Sequence, residues 1–370
     1  MATTVNERLF DAGVNHAVDL QAYSVGVVRR LLAILNRVDA SLFAQLQVIL
    51  EGEGPETFSA QRLDVLLQSV RSLNAEAYRQ FEAAARAEML GLSSAEATYQ
   101  SRVMQAALPP QISVASITQE QVYAAAMSRP MQGRLLSEWA ASLEADRAAR
   151  IRDTLRMGYL EGKTTAQLVR EIRGTRAKGY SDGIIEIDRR HAEAVVRTAV
   201  SHTASTAREQ FEKANKDIIK AVVWRATLDG RTSAPCRLRD SKEYTPDSHK
   251  PIGHSIPWGS GPGRLHWNCR STATFVTKSW KELGGADMPE FTPSQRASMD
   301  GAVPADLSYG DWIKRQSAAR QDEILGPVRG KLLRDGGLTL EKFSTDRGRW
   351  LSLSELAQRN EAAFKRAGLD

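Results

Sequence analysis

Ala221-Val-Val-Trp-Arg-Ala-Thr227 and Ser271-Thr-Ala-Thr-Phe-Val-Thr277 are the two stretches on which the fold turns. Both are dense in β-branched and aromatic residues, which predicts a strand at each. Between them lie about forty residues rich in turn formers, among them Pro251, Gly253, Pro257, Gly259, Gly261, Pro262 and Gly263. A connection of that length without regular structure is uncommon inside a compact domain unless something pins it. The expectation is a small sheet whose long turn-rich loop is held by side chains.

Working outward, the chain from Asn6 to about Met131 reads as successive helices. Val27, Leu31, Ile34, Leu35 and Val38 recur at helical spacing. Glu51-Gly-Glu-Gly-Pro55 ends the first. A second opens near Ser59, carries Leu63, Leu66, Leu67, Val70 and Leu73 on one face, and runs to about Leu90 before Gly91. Pro109-Pro110 breaks the pattern, and Thr118-x-x-Gln121 has the form of a capping box that starts another helix. Helices continue through Leu136, Trp139 and Leu143, then after Thr164-x-x-Gln167 with Leu168 and Ile172, then from about Asp188 to Ala214. Beyond Asp287 the chain is polar, with helical candidates at Tyr309 to Gln316 and Gln321 to Leu333 and with Trp312 and Trp350 needing cover. The reading is a mainly α N-terminal region (1–131), an α+β domain with a small β-sheet (132–285), and an ordered appendage packed on it (286–370).

Composition removes several classes. The 370 residues carry 50 basic and 44 acidic side chains, a surplus of +6 that permits an anionic partner without requiring one. No run of eighteen apolar residues appears, and the polar start lacks a signal-peptide pattern, so neither membrane insertion nor export is expected. Two cysteines are too few for a disulfide scaffold and point to a reducing compartment.

The chemistry sits in the turn-rich stretch. Cys236, His266 and Cys269 place both cysteines of the chain beside a histidine within one loop system. Thiolate and imidazole are the usual zinc ligands, and a metal would staple a loop that builds no core of its own. Three ligands leave a fourth to His254, His249, Asp240 or water. Against zinc stands the missing second cysteine of a C-x-x-C pair, Ser233 being three before Cys236. Without metal, the cysteines are small buried hydrophobes and His266 a hydrogen-bonded loop residue. A Cys-His nucleophile lacks any oxyanion-hole signature. Asp229-Gly-Arg231-Thr232 makes a turn after the first strand. Trp224, Trp258, Trp267 and Trp280 near Arg264 and Arg270 read as local core ahead of a base-stacking surface. The basic residues of 147–220 alternate with acids, as on a solvated helical face. Phosphate-loop, dinucleotide and metalloprotease motifs are absent from the sequence.

Taken in order, Arg197-Thr198, Trp224, Thr227, Asp229, Arg231-Thr232, Cys236 and the closing His266-x-Asn268-Cys269-Arg270 resemble the domain of phage Mu F-like minor head proteins, also called head morphogenesis proteins. Gly158-Tyr-Leu-Glu-Gly162-Lys-Thr-Thr165 fits the same pattern upstream. Arg296-Ala-Ser-Met-Asp-Gly301, Tyr309-x-x-Trp312 and Gln321-x-x-x-Leu325-Gly326-x-x-Arg329 fit it downstream. Many members carry cysteines where this chain has Ser233 and Ser271, and a glutamate where it has Ala199.

The resemblance implies a non-enzymatic structural protein of a tailed bacteriophage, made in the host cytoplasm and housed in the virion head at or inside the portal vertex. It acts there in head morphogenesis, with a share in DNA packaging or ejection. Implied partners are the portal protein, met through the N-terminal helices, then the major capsid or scaffolding protein and non-specific DNA. The alternative from another class is a zinc-dependent, nuclease-like DNA-processing enzyme, for which acidic ligands and a general base are not assembled. A fused toxin module has little room in the last 85 or so residues.

Overall fold

The computed structural model describes residues 5–51, 60–279, 282–283, 296–304 and 306–369. Six helices come first: α1 (Val5–Glu51), α2 (Ala60–Ala107), α3 (Gln119–Ser128), α4 (Leu136–Leu160), α5 (Thr165–Arg173) and α6 (Ile184–Ala214). Strand β1 (Ile219–Arg225) follows, then α7 (Ala234–Arg239), β2 (Glu243–Tyr244), β3 (Pro251–Ile252) and β4 (Thr272–Thr277). A hairpin of β5 (Arg296–Ser298) and β6 (Gly301–Val303) precedes the helices α8 (Tyr309–Lys314), α9 (Ala318–Leu325), α10 (Pro327–Arg334), α11 (Leu353–Arg359) and α12 (Glu361–Arg366). The architecture is mainly α and then α+β, as expected.

Two compact units divide the chain: residues 22–93 with 123–203, and residues 1–21 with 94–122 and 204–370. In the first, Leu42, Leu67, Val70, Ile151, Leu155, Leu168, Ile172 and Ile185 share one core, and Val27, Leu31 and Leu35 are buried on α1. The side chains of Leu63 and Leu66 lie outside the described residues. Gly158 has a local reason: a Cβ there would lie 2.1 Å from Leu168 Cδ2, so a larger residue would force that buried side chain to move. Thr164 and Gln167 form the expected capping box at the start of α5. The same unit buries charge. Arg147 pairs with Asp39, which also accepts from Arg189 at 2.9 Å, and Arg150 donates to Asp188 at 2.8 Å.

In the second unit the sheet runs in the order β3-β2-β1-β4, all antiparallel. Val223 sits opposite Thr274 and Val222 opposite both Phe275 and Tyr244. Trp224, fully buried, joins Phe211, Ile219, Tyr244, Met104 and Leu9 in the core. Truncation of a buried side chain of this size typically costs about 3–5 kcal/mol. A second core packs Leu228 and Leu238 with Tyr309, Trp312, Ile313, Phe343 and Leu356, so the C-terminal segment is an ordered layer on the region after β1. Thr118 and Gln121 cap α3 reciprocally, at 3.2 and 3.0 Å.

Three expectations are corrected. α2 runs through Gly91 to Ala107, because Met89, Leu92 and Ala97 are buried around that glycine and their packing outweighs its propensity loss of about 1 kcal/mol. The turn-rich connection holds α7, β2 and β3; Pro235 starts the short helix where its missing N–H is harmless. β1 begins at Ile219 and ends at Arg225, since the Ala226 N–H donates to Asp240 Oδ1 at 2.7 Å instead of to a neighbouring strand. Trp280 lies outside the described residues.

Burial pushes the Asp188 carboxyl up to about 6, against the pull of Arg147 and Arg150 and with the help of Asp39. A carboxyl whose folded pKa exceeds its unfolded value, near 3.9, stabilises the fold most below the lower pKa, and that contribution is lost as pH rises through the higher one. Asp188→Asn should therefore gain on wild type as pH rises from about 4 to about 8, by up to about 2 kcal/mol. Urea midpoints for both proteins across that range are the check, and parallel profiles would contradict the assignment.

Candidate functional site: a cysteine-histidine staple and an arginine-aspartate clasp

β1 delivers the chain into a turn in which the Asp229 N–H donates to the Thr227 carbonyl at 3.0 Å and the Arg231 N–H to Asp229 Oδ1 at 3.0 Å. The Thr232 hydroxyl donates to the Thr227 carbonyl at 2.5 Å. From the far end of the connection, Arg270 reaches back to Asp229 with both terminal nitrogens, Nη1 to Oδ2 at 2.5 Å and Nη2 to Oδ1 at 2.7 Å. Burial works against the Asp229 charge, yet the guanidinium beside it holds the carboxyl below its usual range. Tyr309 completes the clasp, its hydroxyl donating to the Asp229 carbonyl at 2.8 Å.

One helical turn further along, Cys236 and Cys269 face each other, Sγ to Sγ, at 3.7 Å, and Cys236 Sγ lies 3.2 Å from His266 Nε2. Both cysteines are buried, and the three donor atoms fall within 4.8 Å of one another. The His266 ring is oriented by its other nitrogen, which sits 2.8 Å from the Trp267 carbonyl. A carbonyl only accepts, so Nδ1 carries a proton, and in the neutral ring the Nε2 lone pair faces the cluster. The Ser233 hydroxyl donates to that lone pair at 2.7 Å. Ser233 precedes α7 and makes no side-chain cap there; its hydroxyl turns to the imidazole. Asn268 takes a left-handed φ of 55°, which asparagine adopts more readily than most residues, and so the turn brings Cys269 back under His266.

Proton affinities are divided unequally. The Cys236 thiol is pushed up by its hydrogen bond to Cys269 and by burial. Cys269 is held well below the usual thiol range by the bond from Cys236 and by His266. His266 is raised, first by its interaction with Cys269. Two thiols and an imidazole nitrogen make a soft donor set that suits zinc, and the 3.7 Å between sulfurs matches the edge of about 3.7 Å that Zn–S bonds of about 2.3 Å require in a tetrahedron. Cys236, His266 and Cys269 would hold the ion, which would supply a cross-link.

Of the residues weighed as a fourth ligand, none joins this group. His254 contacts the Glu243 carbonyl at 2.9 Å and accepts from the Ile256 N–H at 3.2 Å. His249 lies 3.0 Å from Glu212 and stacks on Trp258 at 4.5 Å. Asp240 accepts from the N–H groups of Ala226 and Tyr309. The residue that sequence reasoning undervalued is Ser233, whose only signal was its place three before Cys236.

Thr198, fully buried, donates to the Ala194 carbonyl at 2.7 Å, and Arg197 pairs with Glu193 at 2.7 Å. The Arg231 side chain is exposed. Of the described tryptophans in this region Trp224 and Trp258 are buried and Trp267 is half-buried, while Arg264 is paired with Glu209 at 2.7 Å and Arg270 with Asp229.

These features define a helix-rich chain whose α+β sheet is stapled by two buried cysteines and a histidine. Residues 149–274, which carry the staple, match the family described as Phage Mu protein F like protein, in support of the resemblance. No curated protein and no solved structure matches the chain.

Cys269→Ser should destabilise the protein by about 1–3 kcal/mol through a lost buried hydrogen-bonded thiol, read as a lower thermal midpoint. Ser233→Cys places a third sulfur at the imidazole. That variant should retain zinc against a chelator better than wild type, measured by elemental analysis after dialysis. Equal zinc retention in the two proteins would contradict the assignment of Ser233 to the cluster.

Proposed function

We propose that the chain is a structural minor head protein of a tailed bacteriophage, made in the host cytoplasm, carried in the virion at the portal vertex and acting in head morphogenesis. The observation that supports this most is the match of residues 149–274 to the Mu F-like family, a family of phage head morphogenesis. The chemistry agrees. A metal-dependent nuclease gathers acidic ligands and a general base around its ion, whereas among the described residues the cluster consists of two cysteines and a histidine with no carboxylate. Among the described residues no helix is long and apolar enough to cross a membrane.

The portal protein is the proposed first partner, with the major capsid or scaffolding protein beside it, and residues 1–131 supply the docking surface. α1 and α2 leave Val25, Val48, Val65 and Leu90 exposed, apolar side chains within reach of a partner. The start of α1 and the end of α2 also provide Leu9 and Met104 to the sheet core, so docking is tested by point substitution. The full chain carrying Val48→Asp and Val65→Asp should fold but fail to enter heads assembled in its presence, whereas wild type co-purifies with them. Wild-type protein absent from purified heads would overturn the location. Normal incorporation of the double variant would overturn the docking surface.

A further inference from the structure

α5 ends in a loop, residues 174–183, that none of the preceding functions uses. Its neck is two glycines in backbone contact. A Cβ on Gly183 would lie 2.4 Å from the carbonyl carbon and oxygen of Arg173, and one on Gly174 would lie 2.7 Å from the Tyr180 carbonyl oxygen. Just inside the neck Asp182 latches the loop shut, accepting from the Thr175 N–H at 2.8 Å and from its hydroxyl at 2.9 Å. Within the loop, Arg176–Lys178 forms one 3₁₀ turn, and Gly179 and Tyr180 both take left-handed φ, 57° and 64°. The Tyr180 ring lies against the Arg173 guanidinium at 4.9 Å, with Phe43 at 5.7 Å also facing that guanidinium.

This construction holds a small loop in one shape and spends its outward surface on cations. Arg170, Arg176 and Lys178 are exposed, and the two carboxylates in the stretch are already engaged, Glu171 with Lys163 at 2.7 Å and Asp182 with Thr175. Lys178 keeps only a long 3.7 Å contact to Asp182. Arg170 complements the C-terminal end of α5, while Arg176 and Lys178 project beyond the helix, and a pre-organised loop loses little entropy on binding.

We infer that the loop at residues 174–183, with Arg170 beside it, is a contact site for the phosphate backbone of duplex DNA. Closely spaced arginines and a lysine suit phosphate oxygens. The one aromatic ring of the loop is engaged with Arg173 and unavailable for base stacking, and the tip exposes no large apolar side chain that would enter a lipid bilayer. Binding of this kind is independent of base sequence and weakens steeply with salt. The choice of duplex DNA rests on the head-protein reading above, whereas the site rests on the loop alone.

The test is a titration of labelled duplex with the full-length protein at about 50 mM and about 200 mM salt. Arg176→Glu/Lys178→Glu is compared with Lys342→Glu/Arg347→Glu, which changes charge equally on exposed residues elsewhere. The loop variant should bind at least about tenfold more weakly at low salt and lower the salt slope by about two, while the control stays within about twofold of wild type. Arg176→Gln/Lys178→Gln should give an intermediate loss, and it stands in if the reversal variant fails to fold. Equal losses in the loop and control variants would overturn the site. So would wild-type protein that binds anionic vesicles or single-stranded RNA in preference to duplex. The loop variant should still enter heads, so failure here and failure of the head assignment are read separately.

Discussion

Arg270 grips Asp229 with two short parallel hydrogen bonds, and the sheet depends on that grip. β1 and its edge partner β4 form the longest ladder of the sheet but lie about 45 residues apart. Closing a flexible connection of that length costs roughly 3 kcal/mol before any pairing begins. The clasp joins the first residues after β1 to the last residues before β4, so the ladder starts from a short effective loop. The Cys236, His266, Cys269 and Ser233 group closes a second, inner ring a few residues away. Because the charges at the clasp are half-buried and matched in a fork geometry, it contributes more than an exposed surface pair would.

The C-terminal segment is built onto that clasp. Tyr309 donates its hydroxyl to the Asp229 carbonyl and its N–H to Asp240, while Asp240 also takes the N–H of Ala226 that has just left the sheet. One carboxylate thus ends β1 and starts α8. Around it Leu228 and Leu238 enter the same apolar cluster as Trp312 and Phe343, so the segment after the sheet is anchored by both hydrogen bonds and burial.

The helical unit handles charge in two opposite ways. Asp39, Arg147 and Asp188 are buried and must be compensated by one another, which restricts how their helices can pair. The loop after α5 exposes its cations and uses glycine contacts to hold shape instead. Buried charge in this unit therefore serves specificity of packing, and surface charge is free to serve recognition.

The sequence by itself determined the helical N-terminal region, both strands, the capping boxes at Thr118 and Thr164, and the convergence of Cys236, His266 and Cys269. These follow from periodicity, local hydrogen bonding and the need to pin a long turn-rich connection, all of which act over short spans or through unusual residue types. Local signals misjudged Gly91, because a glycine penalty of about 1 kcal/mol is small against the burial of neighbouring side chains that only the tertiary fold reveals. They also could not show that Ser233 would be the hydroxyl on His266, that Asp240 would tie β1 to α8, or that Gly174 and Gly183 would touch. Each of those is a contact between backbone segments whose approach is set by packing of the whole unit, and neither spacing nor residue type encodes that distance.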